Sequence, residues 1–306
     1  MTCYYPTVAW QSFSRNSSGK SEILFKSPSG DGFKEIRLPC SRCIGCRLER
    51  SRQWAIRCMH EASLWPSNCF ITLTYAPEHL PIDVSLDVDH FQRFMKRLRK
   101  RFETYDIKTR KLNPIRFYHC GEYGEQGGRP HYHACLFNVD FPDKTLWMRS
   151  NGNNVYRSAI LESLWPYGFS SIGSLTFQSA GYVARYIMKK QLGKNADEHY
   201  FDPYTGVIKR PEYTTMSRRP GIAAHWVEKY STDVYPRDFV LANGRKMPPP
   251  RYYDKLVEKF NPNLWASVFE QRDIIRSSPL DNPNQPSLES KRLNAEARLK
   301  QLKRSI

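Results

Sequence analysis

The chain has 306 residues, 40% of them hydrophobic, and carries 47 Lys/Arg against 30 Asp/Glu for a formal net charge of +17. That is enough apolar material for one large domain or one domain with an extension, and 13% aromatic residues argue against wholesale disorder despite a mean hydropathy of −0.64. No apolar run approaches the ~18 residues of a membrane span, the start MTCYYPTVAW lacks the pattern of a signal peptide, and so large a positive charge points to a polyanionic partner, nucleic acid first.

Residues 1–39 read as irregular or strand-rich, with Ser/Gly punctuation at 17–19 and 27–32. Residues 47–64 have Trp54, Ala55, Cys58 and Ala62 at helical spacing. FITLTY at 70–75 alternates apolar and hydroxyl side chains and stops at Pro77, as a strand does. The clearest helix is 87–103, with Val88, Phe91, Phe94, Met95, Leu98 and Phe102 on one face. Its other face carries Arg93, Lys96, Arg97, Lys100 and Arg101, which could track phosphates or simply be solvated.

Two strands follow, IRFYHC (115–120) and HYHACLF (131–137), joined by a Gly-rich stretch short enough for a hairpin. A short helix at 158–164, a strand at 169–176 and a helix at 178–191 come next. Beyond them the chain reads as more irregular. Pro248–Pro250 suggests a linker, and from about 287 Leu288, Ala295, Leu299, Leu302 and Ile306 fall at heptad-like spacing in a basic terminal helix. Hairpins exclude a purely parallel sheet. The expected fold is α+β: a central antiparallel sheet with helices packed on it, a cysteine-rich N-terminal segment and a helical C-terminal extension. The expected divisions are 1–66, 67–240 and 241–306.

His131 and His133 sit two apart on a strand, so both imidazoles point to one face. Glu122, from the same hairpin, folds back near them. Two imidazoles and a carboxylate leave coordination positions open, which suits Mg²⁺ or Mn²⁺ at a phosphodiester. On the helix that follows, Tyr182 and Tyr186 share a face, with Lys189 and Lys190 close behind. A tyrosine hydroxyl titrates near ~10, so a cation beside the phosphate is what would let it attack phosphorus. Each pair alone is compatible with ordinary packing. Together, in a strongly basic chain, they point to DNA cleavage.

These features resemble the HUH endonuclease superfamily of rolling-circle replication initiators. There a bulky residue separates the histidines, as in His131-Tyr132-His133, and a tyrosine helix follows, as in Tyr182-Val-Ala-Arg-Tyr186. The closer resemblance is to initiators of gokushovirus-type microvirus bacteriophages, carried by residues 39–58, FITLTY, 121–137 and 179–190. It implies an HUH/RRM-like sheet with Glu122, His131 and His133 as metal ligands. It also implies alternating tyrosine nucleophiles with Lys189 in support, single-stranded origin DNA as substrate and a 5′-phosphotyrosine intermediate. No G-x-x-x-x-G-K-[ST] helicase motif occurs in the chain, so a host helicase, single-strand binding protein and DNA polymerase are expected partners, in the host bacterial cytoplasm. A relaxase or transposase of the same superfamily, or a non-catalytic DNA-binding module, is the alternative reading.

Cys40, Cys43 and Cys46 run C-x-x-C-x-x-C, and Cys58 follows on the next helix. In a reducing compartment four such thiols are a candidate structural zinc site. Plain thiols and an iron–sulfur cluster are the alternatives.

Overall fold

A computed structural model describes residues 3–17, 21–106, 111–124, 127–150, 152–186, 196–203, 205–235, 237–277 and 287–301. The chain divides into two compact units, residues 1–50 with 279–304, and residues 51–278 with 305–306.

The first unit holds a three-stranded antiparallel sheet, β1 (Thr7–Arg15), β2 (Ser21–Leu24) and β3 (Phe33–Leu38), in the order β2-β1-β3. The unit division falls within α1 (Ile44–Ala62).

The second unit is built on β4 (Asn68–Tyr75), α2 (Val88–Phe102), the small ribbon β5 (Thr104–Asp106) and β6 (Lys111–Asn113), β7 (Arg116–Tyr123), β8 (Pro130–Phe137), β9 (Thr145–Ser150), β10 (Asn153–Arg157), α3 (Ala159–Leu164), β11 (Gly168–Gly173) and α4 (Phe177–Tyr186). After these come α5 (Ala196–Tyr200), the ribbon β12 (Phe201–Asp202) and β13 (Val207–Ile208), β14 (Tyr213–Met216), α6 (Ala224–Val234), the ribbon β15 (Val240–Ala242) and β16 (Arg245–Met247), α7 (Arg251–Phe260) and α8 (Pro262–Ser277). The last helix, α9 (Leu288–Gln301), belongs to the first unit.

Seven strands make one sheet in the order β14-β7-β8-β4-β11-β10-β9, with every pairing antiparallel. Strand alternation sends residues to two different cores. Cys69, Ile71, Leu73 and Tyr75 of β4, with Tyr132, Ala134 and Leu136 of β8, face Phe91, Phe94, Met95 and Leu98 of α2. Phe70 of β4, Tyr118 and Cys120 of β7, and Cys135 and Phe137 of β8 face Ala55 and Cys58 of α1 and Ala180, Val183 and Ala184 of α4. The expected α+β sheet with packed helices is thus present, covered on both faces. A third cluster joins Ile56 to Val227, Tyr235, Val240, Tyr253, Val257 and Val268.

That third cluster accounts for a difference from the sequence reading. Pro249 and Pro250 are buried, and α7 starts directly after them. A proline fixes φ where a helix begins and surrenders only an N–H that the first turn leaves unbonded anyway. The run is therefore a helix start, not a linker, and α7 and α8 belong to the second unit. Leu302 and Ile306 of the expected tail lie outside the described residues.

Cys58 is also corrected. It is 0% exposed in the core against Ala55, Phe70 and Cys135. The thiol group that could hold a metal is instead Cys3, Cys40, Cys43 and Cys46. Spacing along the chain hid this partner, because Cys3 comes from the other end of the small sheet.

Candidate active site

The hairpin β7–β8 sets Glu122 directly opposite His131 and Cys120 opposite His133. Across β4, His131 faces Thr74 and His133 faces Thr72. Even positions of β7 and β4 and odd positions of β8 therefore share the face that packs toward α4. His119, of opposite parity, lies on the other side against Phe91 with ring centroids 3.4 Å apart.

Both histidines are oriented by their far nitrogens. His131 Nδ1 lies 3.1 Å from the Arg129 carbonyl, and His133 Nδ1 lies 2.9 Å from Thr72 Oγ1. A carbonyl can only accept, so the hydrogen sits on His131 Nδ1. The two Nε2 atoms then converge on Glu122 Oε1, at 2.6 and 3.0 Å. One ligand atom from each of the three residues falls within 4.8 Å of the others. Imidazoles held by a neighbour at the non-ligating nitrogen are typical of metal sites. The donor set of two nitrogens and one carboxylate fits a divalent cation. Burial works to raise the Glu122 carboxyl, but the hydrogen bonds and charges of His131 and His133 outweigh it and hold the group below its ordinary value.

Tyr132, between the two histidines, points into the opposite core and is 0% exposed. Its hydroxyl donates to the Asp87 carbonyl at 2.7 Å, accepts from the Asp87 N–H at 3.0 Å and meets the Tyr75 hydroxyl at 2.8 Å. Asp87 caps α2 by accepting from the backbone of Asp89 and His90. The bulky middle residue thus locks the strand so that its histidines keep to one face.

The nucleophile candidates come from α4. Thr176 and Ser179 bond reciprocally, Thr176 N–H to Ser179 Oγ at 2.8 Å and Ser179 N–H to Thr176 Oγ1 at 3.1 Å, which closes the helix start in capping-box fashion. Val183 and Ala184 are buried, and Ser51 Oγ donates to the Gly181 carbonyl at 3.0 Å. Tyr182, half-buried, stands edge-on to His133 with ring centroids 5.1 Å apart. Tyr186 is the last residue of α4, and its side chain is not among those described; Lys189 and Lys190 lie outside the described residues.

The sequence reading did not single out Thr72, Arg129 or Phe169. Phe169 pairs with Thr74, so Glu122, His131, Thr74 and Phe169 form one row across four strands. It is 60% exposed. The alternating pattern of FITLTY was a signal for Thr72, since its hydroxyl positions fall on the histidine face. The basic row of α2 is not at this site: α2 covers the opposite core, and Arg97 Nε donates to the Leu164 carbonyl at 2.9 Å. Tyr75, Tyr118 and Tyr132 are buried and Tyr123 packs against the core, so these do not offer free rings to bases.

An antiparallel sheet that presents two histidines and a glutamate on one face, with a tyrosine helix against it, defines a class of candidate metal-dependent phosphoryl-transfer proteins. A family model for replication-associated proteins of the ORF2 type matches residues 68–191, the stretch from β4 through α4. The chain is 37% identical over 244 residues to the replication-associated protein VP4 of Bdellovibrio phage phiMH2K, covering 79% of this chain and 74% of that protein. It is 33% identical over 232 residues to the replication-associated protein ORF2 of Spiroplasma virus 4, covering 72% and 68%. It is 30% identical over 240 residues to the replication-associated protein ORF4 of Chlamydia phage 1, covering 75% and 57%. No solved structure matches the chain. The chain belongs to the family of phage replication-associated proteins. Among the described residues no helix is long and apolar enough to cross a membrane.

Proposed function

We propose that this replication-associated protein is an HUH-type nickase and strand transferase acting on single-stranded origin DNA. The observation that carries the reading is the convergence of Glu122, His131 and His133 on one point of the sheet face against which Tyr182 packs. Glu122, His131 and His133 would hold Mg²⁺ or Mn²⁺. That ion, when bound, supplies charge neutralisation at the scissile phosphate.

The protein's own groups do the rest. The Tyr182 oxygen bonds to phosphorus, its proton passes to solvent, and the bond from phosphorus to the 3′-oxygen breaks. That oxygen takes up a proton, leaving a 3′-hydroxyl for a polymerase and a 5′-phosphotyrosine on the protein. Tyr186, one helical turn on, is the second nucleophile, attacking the regenerated origin so that the released 3′-hydroxyl can displace Tyr182 and close a circle. The free energy of the broken phosphodiester is held in the phosphotyrosine, so joining needs no nucleotide. Lys189 is assigned a supporting role near the attacking oxygen. Phe169, exposed in the row of His131, offers a stacking surface for a base beside the cut, and the net charge of +17 favours the phosphate chain. A host helicase, single-strand binding protein and polymerase in the bacterial cytoplasm complete the proposed cycle.

The test is incubation with labelled single-stranded phage-origin DNA and divalent metal, followed by denaturing electrophoresis. A covalent protein–DNA adduct is expected. Undiminished nicking by the Tyr182→Phe, Tyr186→Phe double variant would overturn the tyrosine mechanism, and absence of an adduct with every metal would favour a non-catalytic binding module.

A further inference from the structure

The first unit lacks a core of its own. Among its described residues the only buried hydrophobic ones are Cys3 and Ala9, while Tyr5, Phe13 and Phe25 are more than half exposed. None of the three apolar clusters includes a residue from it. A three-stranded sheet with so little buried cannot offset the entropy of ordering its backbone by hydrophobic burial alone. Small units of this kind are held by disulfides or by a metal. All eight cysteines are free thiols.

Four of those thiols converge within the unit. The Sγ atoms of Cys3, Cys40, Cys43 and Cys46 all lie within 4.8 Å of one another. The strands explain the meeting. Thr7 at the start of β1 pairs with Leu38 at the end of β3, so the chain just before β1 and the chain just after β3 run side by side. That brings Cys3 to Cys40. Ser41, at φ 62°, then turns the backbone so that Cys43 and Cys46, the latter in the first turn of α1, close the group.

Backbone N–H groups are aimed at the sulfurs: Cys40 N–H at Cys3 Sγ, 3.2 Å, Cys43 N–H at Cys40 Sγ, 3.3 Å, and Tyr4 N–H at Cys43 Sγ, 3.4 Å. Such donors favour thiolate over thiol. A single tetrahedral ion with metal–sulfur bonds of about 2.3 Å sets its sulfurs about 3.8 Å apart. Cys43 Sγ and Cys3 Sγ are 4.0 Å apart, which fits one ion.

We propose that Cys3, Cys40, Cys43 and Cys46 bind one zinc ion as a tetrathiolate, and that this ion stands in for the missing core of the first unit. It clips the chain before β1 to the start of α1 and closes the small sheet between them. It is separate from the site at His131 and His133, whose nitrogen and oxygen donors suit a harder cation.

The experiment counts metal in the full chain carrying His131→Ala and His133→Ala, which removes the other candidate ligands. Elemental analysis and native mass spectrometry are expected to find one zinc per chain. Cobalt substitution should give thiolate-to-metal charge-transfer and tetrahedral d–d absorption. Adding Cys3→Ser should weaken binding at least tenfold, Cys3→His should restore most of it, and Cys58→Ser should change nothing. In zinc-chelated protein, amide exchange should accelerate in β1–β3 and stay unchanged in β7 and β8. Absence of stoichiometric metal, cobalt spectra unaltered by Cys3→Ser, or loss of the ion on Cys58→Ser would each overturn the proposal.

Discussion

Tyr182 meets the imidazole of His133 edge-on, with ring centroids 5.1 Å apart and planes at 88°. The contact places a phenol beside the proposed metal ligands without making it one of them. Tyr182→Phe keeps the ring, and α4 stays anchored through Val183, Ala184 and the Ser51–Gly181 bond. The expected outcome is loss of the covalent adduct by at least about 10³-fold, with single-stranded DNA affinity unchanged in a fluorescence anisotropy titration. A parallel fall in affinity would mean that the tyrosine binds rather than attacks.

Removal of Glu122 separates metal binding from folding. Glu122→Gln retains size and one acceptor but gives up the charge that both Nε2 atoms meet. Calorimetric titration with Mn²⁺ is expected to show affinity reduced at least about tenfold, and nicking should recover partly at high Mn²⁺. Unchanged Mn²⁺ affinity would place the ion elsewhere.

Phe169 is argued from register alone. It shares a row with His131 but touches none of the metal ligands through its strand partner Thr74. Phe169→Ala should weaken single-stranded DNA binding by about 1–3 kcal/mol while Mn²⁺ affinity is kept; Phe169→Trp should retain binding. Equal DNA affinity in all three proteins would show that no base stacks there.

Stability should fall on acidification in a way that His60 helps set. Burial pushes this imidazole from 6.5 down to about 4; it is packed on Trp226, with Nδ1 2.8 Å from the Tyr253 hydroxyl. The unfolded chain therefore binds a proton below 6.5 that the folded chain refuses until about 4. Stability contributed by the neutral ring is complete above the unfolded value and drains away as pH falls, by about 3 kcal/mol across the window. His119, held neutral by burial and by His133, acts in the same direction. Urea titrations at pH 7 and pH 4.5 should show a smaller difference between the two conditions in His60→Gln than in the parent. An equal difference would remove His60 from the account.

Much of the site was legible because it obeys two short periods. Strand parity alone puts His131 and His133 on one face and His119 on the other, and helical spacing alone puts Tyr182 on a helix. The alternation in FITLTY foretold β4. What the sequence could not show depends on pairings distant along the chain. Cys3 joins the thiol cluster only because β1 pairs with β3. Phe169 reaches the row of His131 only because β11 pairs with β4. Strand β14 is four residues long in a stretch without clear alternation, yet it edges the sheet beside β7. The prolines before α7 misled for a different reason: the same residue type ends one element and begins another, and only burial tells which.

Gly168 illustrates such a distant pairing at its tightest. At φ 152°, a Cβ there would sit 2.1 Å from the Ala76 nitrogen and 2.7 Å from the Thr74 carbonyl oxygen. Gly168→Ala should therefore cost at least about 3 kcal/mol, read as a lowered urea midpoint together with faster amide exchange in β4 and β11. A variant as stable as the parent would mean that the strand ends can separate freely.

The hairpin that carries Glu122, His131 and His133 has one further consequence, in the order in which a ribosome releases the chain. The three ligands lie close together in sequence, on neighbouring strands, so closing them into a cluster loses little chain entropy. Their partner strand β4 has already emerged. Tyr182 arrives only after β9, β10, α3 and β11 have been made. A nascent chain can thus acquire its cation pocket well before it owns the side chain proposed to cut, and remains harmless to DNA until α4 has left the tunnel and docked.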